Sequence, residues 1–585
     1  MRVLIFHGYL LHGTGSNVYN AELGQAFVRA GHELHMLCQD RAPLELPWVD
    51  AAGDWDRGAL ELTVRREPVR ATVYRPDVGG LLPVYVADRY EGVEARPYQD
   101  LSEAEVDAYV ERNVAAVAEV VARARLDVAL ANHLVMGPRI LARALAGSGV
   151  PYAVKIHGSA LEYTVKPHPR FLPAAREGLA SARGVLVGSR HTAESLWAAL
   201  SEPGLEEKTR LGPPGVDVTR FVPRDREEAA AGLERLRATL AAPAAAEAAA
   251  PAAAGPSAAS SDRAPAGAAS SDPVPSAAAS DPAAAGAAAS DPAPSAAASS
   301  APAAAGAAAS DPAPSAAASS ASVSTDPTGS SFARSAAEAA AALAAVDPRR
   351  DRIVVYVGKL IAAKGVELLL GAWPLVLARV PDARLVIVGF GAFRAGLEGL
   401  TGALACGDLA AARAVRGEDG RELRELGAFL DAAGGDYRAA AAGIGDRVHW
   451  VGRLEHAELA DVLPAADAIA MPSTFPEAFG MVAAEAAACG ALPVVAGHSG
   501  MAEVARALAV AAPEEVRPWL TFEVGPHAVT ELADGLASWL EAPDELRAHT
   551  REAIVQVARE RYSWDGVART VVAAAQGRLA ELPSP

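Results

Sequence analysis

This sequence predicts an α/β chain of two doubly wound domains, and three observations predict it. Short, strongly apolar strand patterns recur along the chain, each followed by an amphipathic helical pattern. The series starts twice, at Val3-Leu4-Ile5-Phe6 and again at Ile353-Val354-Val355-Tyr356-Val357. Between the two starts, from about Ala241 to Ser331, lies a tract made almost wholly of Ala, Ser, Pro, Gly and Asp.

Strands of a parallel sheet covered on both faces read as continuous apolar runs. In the first half such runs include Asp127 to Ala131, Tyr152 to Ile156 and Val185 to Val187. In the second half they include Arg384 to Val388, Val448 to Val451, Ala468 to Met471 and Leu492 to Val495. Two such domains leave a cleft where the C-terminal ends of their strands face each other, and open α/β sheets bind ligands at those ends. The expected boundaries are 1–223 for the first domain, 224–350 for the insert with its flanks, and 351–560 for the second domain. Residues 561–585 are expected to form a helix crossing back toward the first domain.

Within the tract, Pro282 to Ser300 recurs unchanged as Pro302 to Ser320. With almost no large apolar side chain to bury and prolines at short intervals, it is expected to be an extended, disordered linker. A docking tether and mere repeat expansion in an alanine-rich genome both fit that composition. The flanks Arg224 to Leu240 and Ala336 to Ala345 read as helices. Gly402 to Gly443 read as an extra helical excursion with no evident role.

Bulk properties narrow the function. The chain has 585 residues, 51% of them hydrophobic, a figure that alanine inflates. A net charge of −18 disfavours a general nucleic-acid or anionic-membrane surface, both of which need excess Lys and Arg. The three cysteines, Cys38, Cys406 and Cys489, are too far apart for a CxxC-type metal site and too few for a disulfide framework. That usage fits a reducing cytoplasm. The apolar start is only a strand long and turns polar at His7, unlike a signal peptide. No uncharged apolar stretch is long enough to span a bilayer, although peripheral membrane contact stays compatible with the sequence.

The residues that carry chemistry sit after strands. Gly358-Lys359 follows the first strand of the second half, and Lys364-Gly365 comes shortly after. Two lysines on a tight glycine turn suit a diphosphate, since fixed cations neutralise the charge of a departing phosphate. Two ordinary surface lysines on a loop fit the spacing as well. Next comes Pro472-Ser473-Thr474-Phe475-Pro476-Glu477-Ala478-Phe479-Gly480-Met481-Val482-Ala483-Ala484-Glu485, running from a strand end into a helix that stops at Gly490. A helix N-terminus after a strand is an anion site. Glu477 lies just before that helix and Glu485 inside it, and each carboxylate can accept a pair of hydroxyl hydrogen bonds. A helix-dipole glutamate and an exposed helical one would be the plainer account.

In the first half, Gly13-Thr14-Gly15-Ser16-Asn17 joins the first strand to a helix through Ala30. It lacks the third glycine of a dinucleotide fingerprint, which argues against a nicotinamide oxidoreductase despite Asp40 near the second strand. Ile156-His157-Gly158-Ser159 follows another strand, and His133 lies at a similar edge.

Together, GKL…KG and PSTFPEAFGMVAAEAAACG resemble family 4 of the retaining glycosyltransferases, the glycosyl transferases group 1, which have the two-Rossmann GT-B fold. The hallmark is two glutamates with seven residues between them, as Glu477 and Glu485 have. Phe390-Gly391-Ala392-Phe393-Arg394, Arg447 to Leu454 and Tyr562-Ser563-Trp564 extend the resemblance, which covers most of the chain apart from the tract and the 402–443 excursion. The resemblance implies that Lys359 and Lys364 hold the diphosphate, Glu477 the hydroxyls of the transferred sugar, and Glu485 the ribose. Main-chain groups around Phe479, Gly480 and Met481 would contact sugar and phosphate, and Leu454 the base. Gly15 would allow close approach of the donor, and His157 would contact the sugar. Gly13, Ser16, Asn17 and His133 would stand on the acceptor side. Ser189-Arg190 and Gly215-Val216-Asp217 match turns of the family, the latter architectural.

The family generally uses no metal, and no Asp-x-Asp element lies beside the donor loop. The expected partners are a nucleoside-diphosphate sugar and a sugar, sugar-phosphate or lipid-linked acceptor, with no resident cofactor. The base stays open among uracil, guanine and adenine. A nucleotide-sugar epimerase on the same fold and a non-catalytic sugar-nucleotide scaffold are the alternatives.

Overall fold

In this computed structural model, residues 1–12, 15–56, 58–85, 94–248 and 335–585 are described. The expected linker beyond residue 248, and Gly13 with Thr14, lie outside them.

The first half builds one sheet. Its strands are β1 (Arg2–Phe6), β2 (Glu33–Leu37), β3 (Ala51–Asp56), β4 (Ala59–Val64) and β5 (Ala71–Arg75). A small pair follows, β6 (Leu81–Val84) and β7 (Glu94–Pro97), and then β8 (Val128–Asn132), β9 (Tyr152–Ile156), β10 (Gly184–Val187) and β11 (Thr209–Leu211). The sheet order is β11-β10-β9-β8-β1-β2-β5-β3-β4, with β6 and β7 paired apart from it. All its pairings are parallel except the β3–β4 hairpin. Strands β1 and β8 to β10 are apolar runs that bury nearly every residue, as the sequence predicts. The β3–β4 hairpin was not expected: β4 is exposed along most of its length, so no apolar run marks it.

The second half contains β12 (Arg352–Val357), β13 (Ala383–Val388), β14 (Val448–Gly452), β15 (Ala468–Met471), β16 (Leu492–Ala496) and β17 (Thr521–Phe522). They form an all-parallel sheet in the order β14-β13-β12-β15-β16-β17. That order reverses between β12 and β15, and such a reversal opens a crevice at the strand C-termini.

Two helical segments sit differently from the expected boundaries. Helix Arg226–Ala248 buries Leu233, Leu236 and Leu240, and helix Ala336–Ala344 buries Ala339 and Leu343, all within the core of the second sheet. The flanks of the insert are therefore part of that domain's core. Helix Trp564–Ala575 packs Trp564, Val567 and Val571 into the core behind β1 of the first sheet. Its entry is pinned where Val216 N donates to Tyr562 O.

Candidate functional site

The donor-side loops meet at the second sheet's reversal point. Gly358-Lys359 leaves β12, and a single 3₁₀ turn, Ala362–Lys364, leads to helix Val366–Arg379. Gly365 ends the turn with φ +65°, and a Cβ there would lie 1.9 Å from Pro472 O. No side chain fits, so glycine lets the turn press against the loop that leaves β15. Across that contact, Lys364 Nζ is ion-paired with Glu477 Oε1. Ser473 Oγ donates to the same carboxylate oxygen at 2.7 Å. The Glu477 main chain is held on both sides: its N donates to Ser499 Oγ at 2.9 Å, and its O accepts from Gly500 N at 2.9 Å. Lys359, by contrast, is exposed and has no ion pair among the described residues.

Glu485 sits on helix Met481–Ala488 with only 2% of its surface exposed. Its partner is His456, whose Nε2 donates to Glu485 Oε1 at 2.7 Å. Burial opposes a charge on His456, but the Glu485 carboxylate outweighs it and raises the imidazole pKa. The same carboxylate keeps free capacity for further donors, since each of its oxygens has two lone pairs.

From the first half, Gly15, Ser16 and His157 face these groups across one cavity of about 490 Å³. Lys359, Lys364, Leu454, Glu477, Phe479, Met481 and Glu485 line it from the second half. Gly15 holds φ +61° at the head of helix Ser16–Arg29, with no described residue within 4 Å of where a Cβ would stand. Open backbone there permits close approach of a ligand. Gly480 is the cap of the Met481–Ala488 helix, just off the wall. Asn17 binds inward, its Nδ2 donating to His12 O at 2.9 Å. His133 lies behind His157, 2% exposed, and neither of its ring nitrogens has a hydrogen bond among the described residues. Arg394 turns away to Glu398 at 2.8 Å.

Sequence reasoning missed His456, Ser473, Ser499 and Lys155. Only Lys155 carries a signal, as a lysine inside the apolar run Ala153-Val154-Lys155-Ile156. It lines the cavity, donates to Gly212 O at 2.5 Å and stands 5.6 Å from the centre of the Tyr19 ring. Burial pulls its amine down to about 7, from 10.5 in a free lysine. The unfolded chain therefore holds this proton between those two values while the fold releases it, so stability rises with pH across that window. Lys155→Met is expected to raise the melting temperature at pH 6 by several degrees and to do so much less at pH 9. Thermal melts at the two pH values check this, and an equal shift at both would contradict it.

Two family models match the chain: Glycosyl transferase 4-like domain over residues 14–204, and Glycosyl transferases group 1 over 434–557. The second match contains both glutamates of the cavity wall. Both matches support a glycosyltransferase of the group 1 type. Among similar proteins, a D-inositol 3-phosphate glycosyltransferase of Segniliparus rotundus is 30% identical over 234 residues, 40% of this chain and 41% of that protein. A GDP-mannose-dependent monoacylated alpha-(1-6)-phosphatidylinositol monomannoside mannosyltransferase of Corynebacterium glutamicum is 29% identical over 213 residues, 35% of this chain and 42% of that protein. The matched stretch spans about two fifths of the length of these curated relatives. In fold, the chain is similar to a sucrose-phosphate synthase from Thermosynechococcus elongatus, with a TM-score of 0.51 at 16% identity over 99% of both chains. The two-domain GT-B architecture of glycosyltransferases is thus the fold of this chain.

Proposed function

We propose that this chain is a retaining, metal-independent glycosyltransferase that moves a hexosyl unit from a nucleoside-diphosphate sugar to an acceptor hydroxyl. One observation carries the reading: Lys359, Lys364, Glu477 and Glu485 meet at one strand-end crevice, with His157 on the opposite wall of the same cavity. Lysines beside a helix N-terminus suit a diphosphate, and carboxylates suit the hydroxyls on either side of it.

In this reading the diphosphate lies against Lys359 and Lys364 and the amides of Phe479, Gly480 and Met481. Glu485 takes the ribose, Leu454 the base, and Glu477 with His157 the sugar. The acceptor oxygen attacks the anomeric carbon on the face from which the diphosphate leaves. The bond from that carbon to the phosphate oxygen breaks, the departing phosphate takes the acceptor's proton, and configuration is retained. The two lysines stabilise the negative charge that builds on the leaving group, the task a metal ion has elsewhere. The relatives' names, which cite an inositol phosphate and a phosphatidylinositol mannoside, support a phosphate-bearing or lipid-linked acceptor beside a plain sugar. No helix among the described residues is long and apolar enough to cross a membrane. Cys38, Cys406 and Cys489 are all unpaired, which supports a cytoplasmic setting.

Saturation-transfer NMR against UDP-, GDP- and ADP-sugars tests the donor site. One nucleotide series is expected to bind; binding by none to folded protein would refute the reading. NMR of the early product checks retention, where an inverted anomer would count against it. Activity lost to EDTA and restored by Mn²⁺ would count against metal independence.

A further inference from the structure

Behind the cavity wall, a line of polar side chains joins His157 to the first-domain loop. His157 Nε2 is 2.8 Å from Asn132 Oδ1. Asn132 Nδ2 is 2.8 Å from Asn20 Oδ1, and Asn20 Nδ2 is 3.0 Å from His7 Nδ1. His7 Nε2 then reaches Leu10 O at 3.0 Å and Asn17 Oδ1 at 3.1 Å. His7, Asn20 and Asn132 are each 2% exposed or less.

Main-chain carbonyls, which only accept, fix the direction of every link. Leu10 O requires the proton on His7 Nε2, so His7 Nδ1 accepts. Ser16 O lies 2.8 Å from Asn20 Nδ2, and Phe6 O lies 3.2 Å from Asn132 Nδ2. Flipping the Asn132 amide would set its oxygen against Phe6 O and Asn20 Oδ1, and flipping Asn20 would set its oxygen against Ser16 O and the bare His7 Nδ1. Asn132 Oδ1 is therefore an acceptor, and the ring nitrogen facing it must carry a proton. The ring is also neutral: burial, with His133, Lys155 and His7 nearby, pushes its pKa well below the ordinary value. Its other nitrogen, Nδ1, has no hydrogen bond among the described residues, and His157 lines the cavity.

We propose that Asn132, braced by Asn20 and His7, holds His157 in the Nε2–H tautomer, so that Nδ1 presents a lone pair that selects a sugar bearing a hydroxyl there and rejects one bearing a carboxylate. A hydroxyl can donate to Nδ1. A carboxylate oxygen would meet it lone pair to lone pair, in a place too buried for the ring to protonate readily. Asn132 is a positioning residue in this scheme. The choice of ligand rests on the glycosyltransferase reading, whereas the tautomer does not.

The test starts without ligand. Long-range ¹H–¹⁵N correlation spectra of the full chain with ¹⁵N-labelled histidine, at pH 6 to 8, report the protonation of each ring nitrogen. His157 is assigned by its loss in His157→Gln. The expected result is a protonated Nε2 and a bare Nδ1 throughout; a proton on Nδ1 would overturn the proposal. Asn132→Asp keeps the acceptor and should keep the tautomer. Asn132→Leu removes it and should give a mixture, and an unchanged tautomer in that variant would also overturn the proposal. Titration with UDP-glucose against UDP-glucuronate, and GDP-mannose against GDP-mannuronate, tests selection. The neutral sugar of the recognised base should bind about 100-fold more tightly, and equal affinity would overturn the selection. Binding of none of the four would refute the donor reading and the selection with it, while the tautomer would still stand or fall on the ligand-free spectra.

Discussion

Lys364→Ala should lower kcat/KM roughly a thousandfold, about 4 kcal/mol of transition-state stabilisation, which is the upper range for losing one preorganised charge. Two effects add. The variant loses a cation where the leaving diphosphate gains charge. It also strips Glu477 of its ion-pair partner, leaving a carboxylate that repels the same phosphates. Ser473 Oγ still donates to Glu477, so the carboxylate stays in place rather than swinging clear. Lys359 has no such partner among the described residues, so Lys359→Ala removes one exposed cation only and should cost about tenfold. The ion pair itself is partly exposed, with 29% and 20% of the two side chains accessible. A pair of that kind contributes about 1 kcal/mol or less to folding, so the melting temperature should move little. Adding Glu477→Gln to Lys364→Ala should recover donor affinity relative to Lys364→Ala alone, because the repulsion goes. Steady-state kinetics and donor titrations of the three variants decide this. A Lys364→Ala enzyme within tenfold of wild type would remove the lysine from the proposed mechanism.

The donor half of the site is legible because it is local. Strand β15, the turn with Glu477 and the helix with Glu485 follow one another within a single stretch, and glycines mark the turns. The first-domain half is not. His7, Asn20, Asn132 and His157 come from four separate segments: the parallel register of β1, β8 and β9 brings His7, Asn132 and His157 together, and helix Ser16–Arg29 adds Asn20. Single polar residues at strand ends give no sign of which partner each will find. The 402–443 excursion is opaque in sequence for the same reason. Glu418 accepts from Ala362 N at 2.9 Å, beside the Lys364 turn, and Tyr437 Oη donates to Gly371 O at 2.8 Å. The excursion thus braces the lysine turn and the helix after it, through contacts far apart in the chain. The insert's first flank was readable in part: its leucines fall on one helical face, but the alanines around them carry no pattern that fixes which core they join.

Glu485→Ala should weaken a free nucleoside diphosphate and its sugar-bearing form by the same factor, about 100-fold, as expected for losing a buried charged acceptor of two hydroxyl hydrogen bonds. The ribose is common to both ligands, so the loss does not depend on the sugar. Glu477→Ala is the contrast, since it should penalise the sugar-bearing ligand and spare the free diphosphate. Calorimetric titration of both ligands into both variants separates the two roles. If Glu485→Ala bound free diphosphate normally, its place at the ribose would be lost. The His456 partnership adds a second, ligand-free readout. Glu485 raises the His456 pKa in the fold above the value near 6.5 of an unfolded histidine. The pair therefore contributes stability that is complete below that unfolded value and fades as pH rises through the higher folded one. Glu485→Ala should remove that part of the pH dependence of unfolding. Denaturant melts between pH 5 and 9 would show the slope in wild type and its absence in the variant. A slope that survives the substitution would mean that Glu22, the other acidic group acting on His456, holds the proton instead.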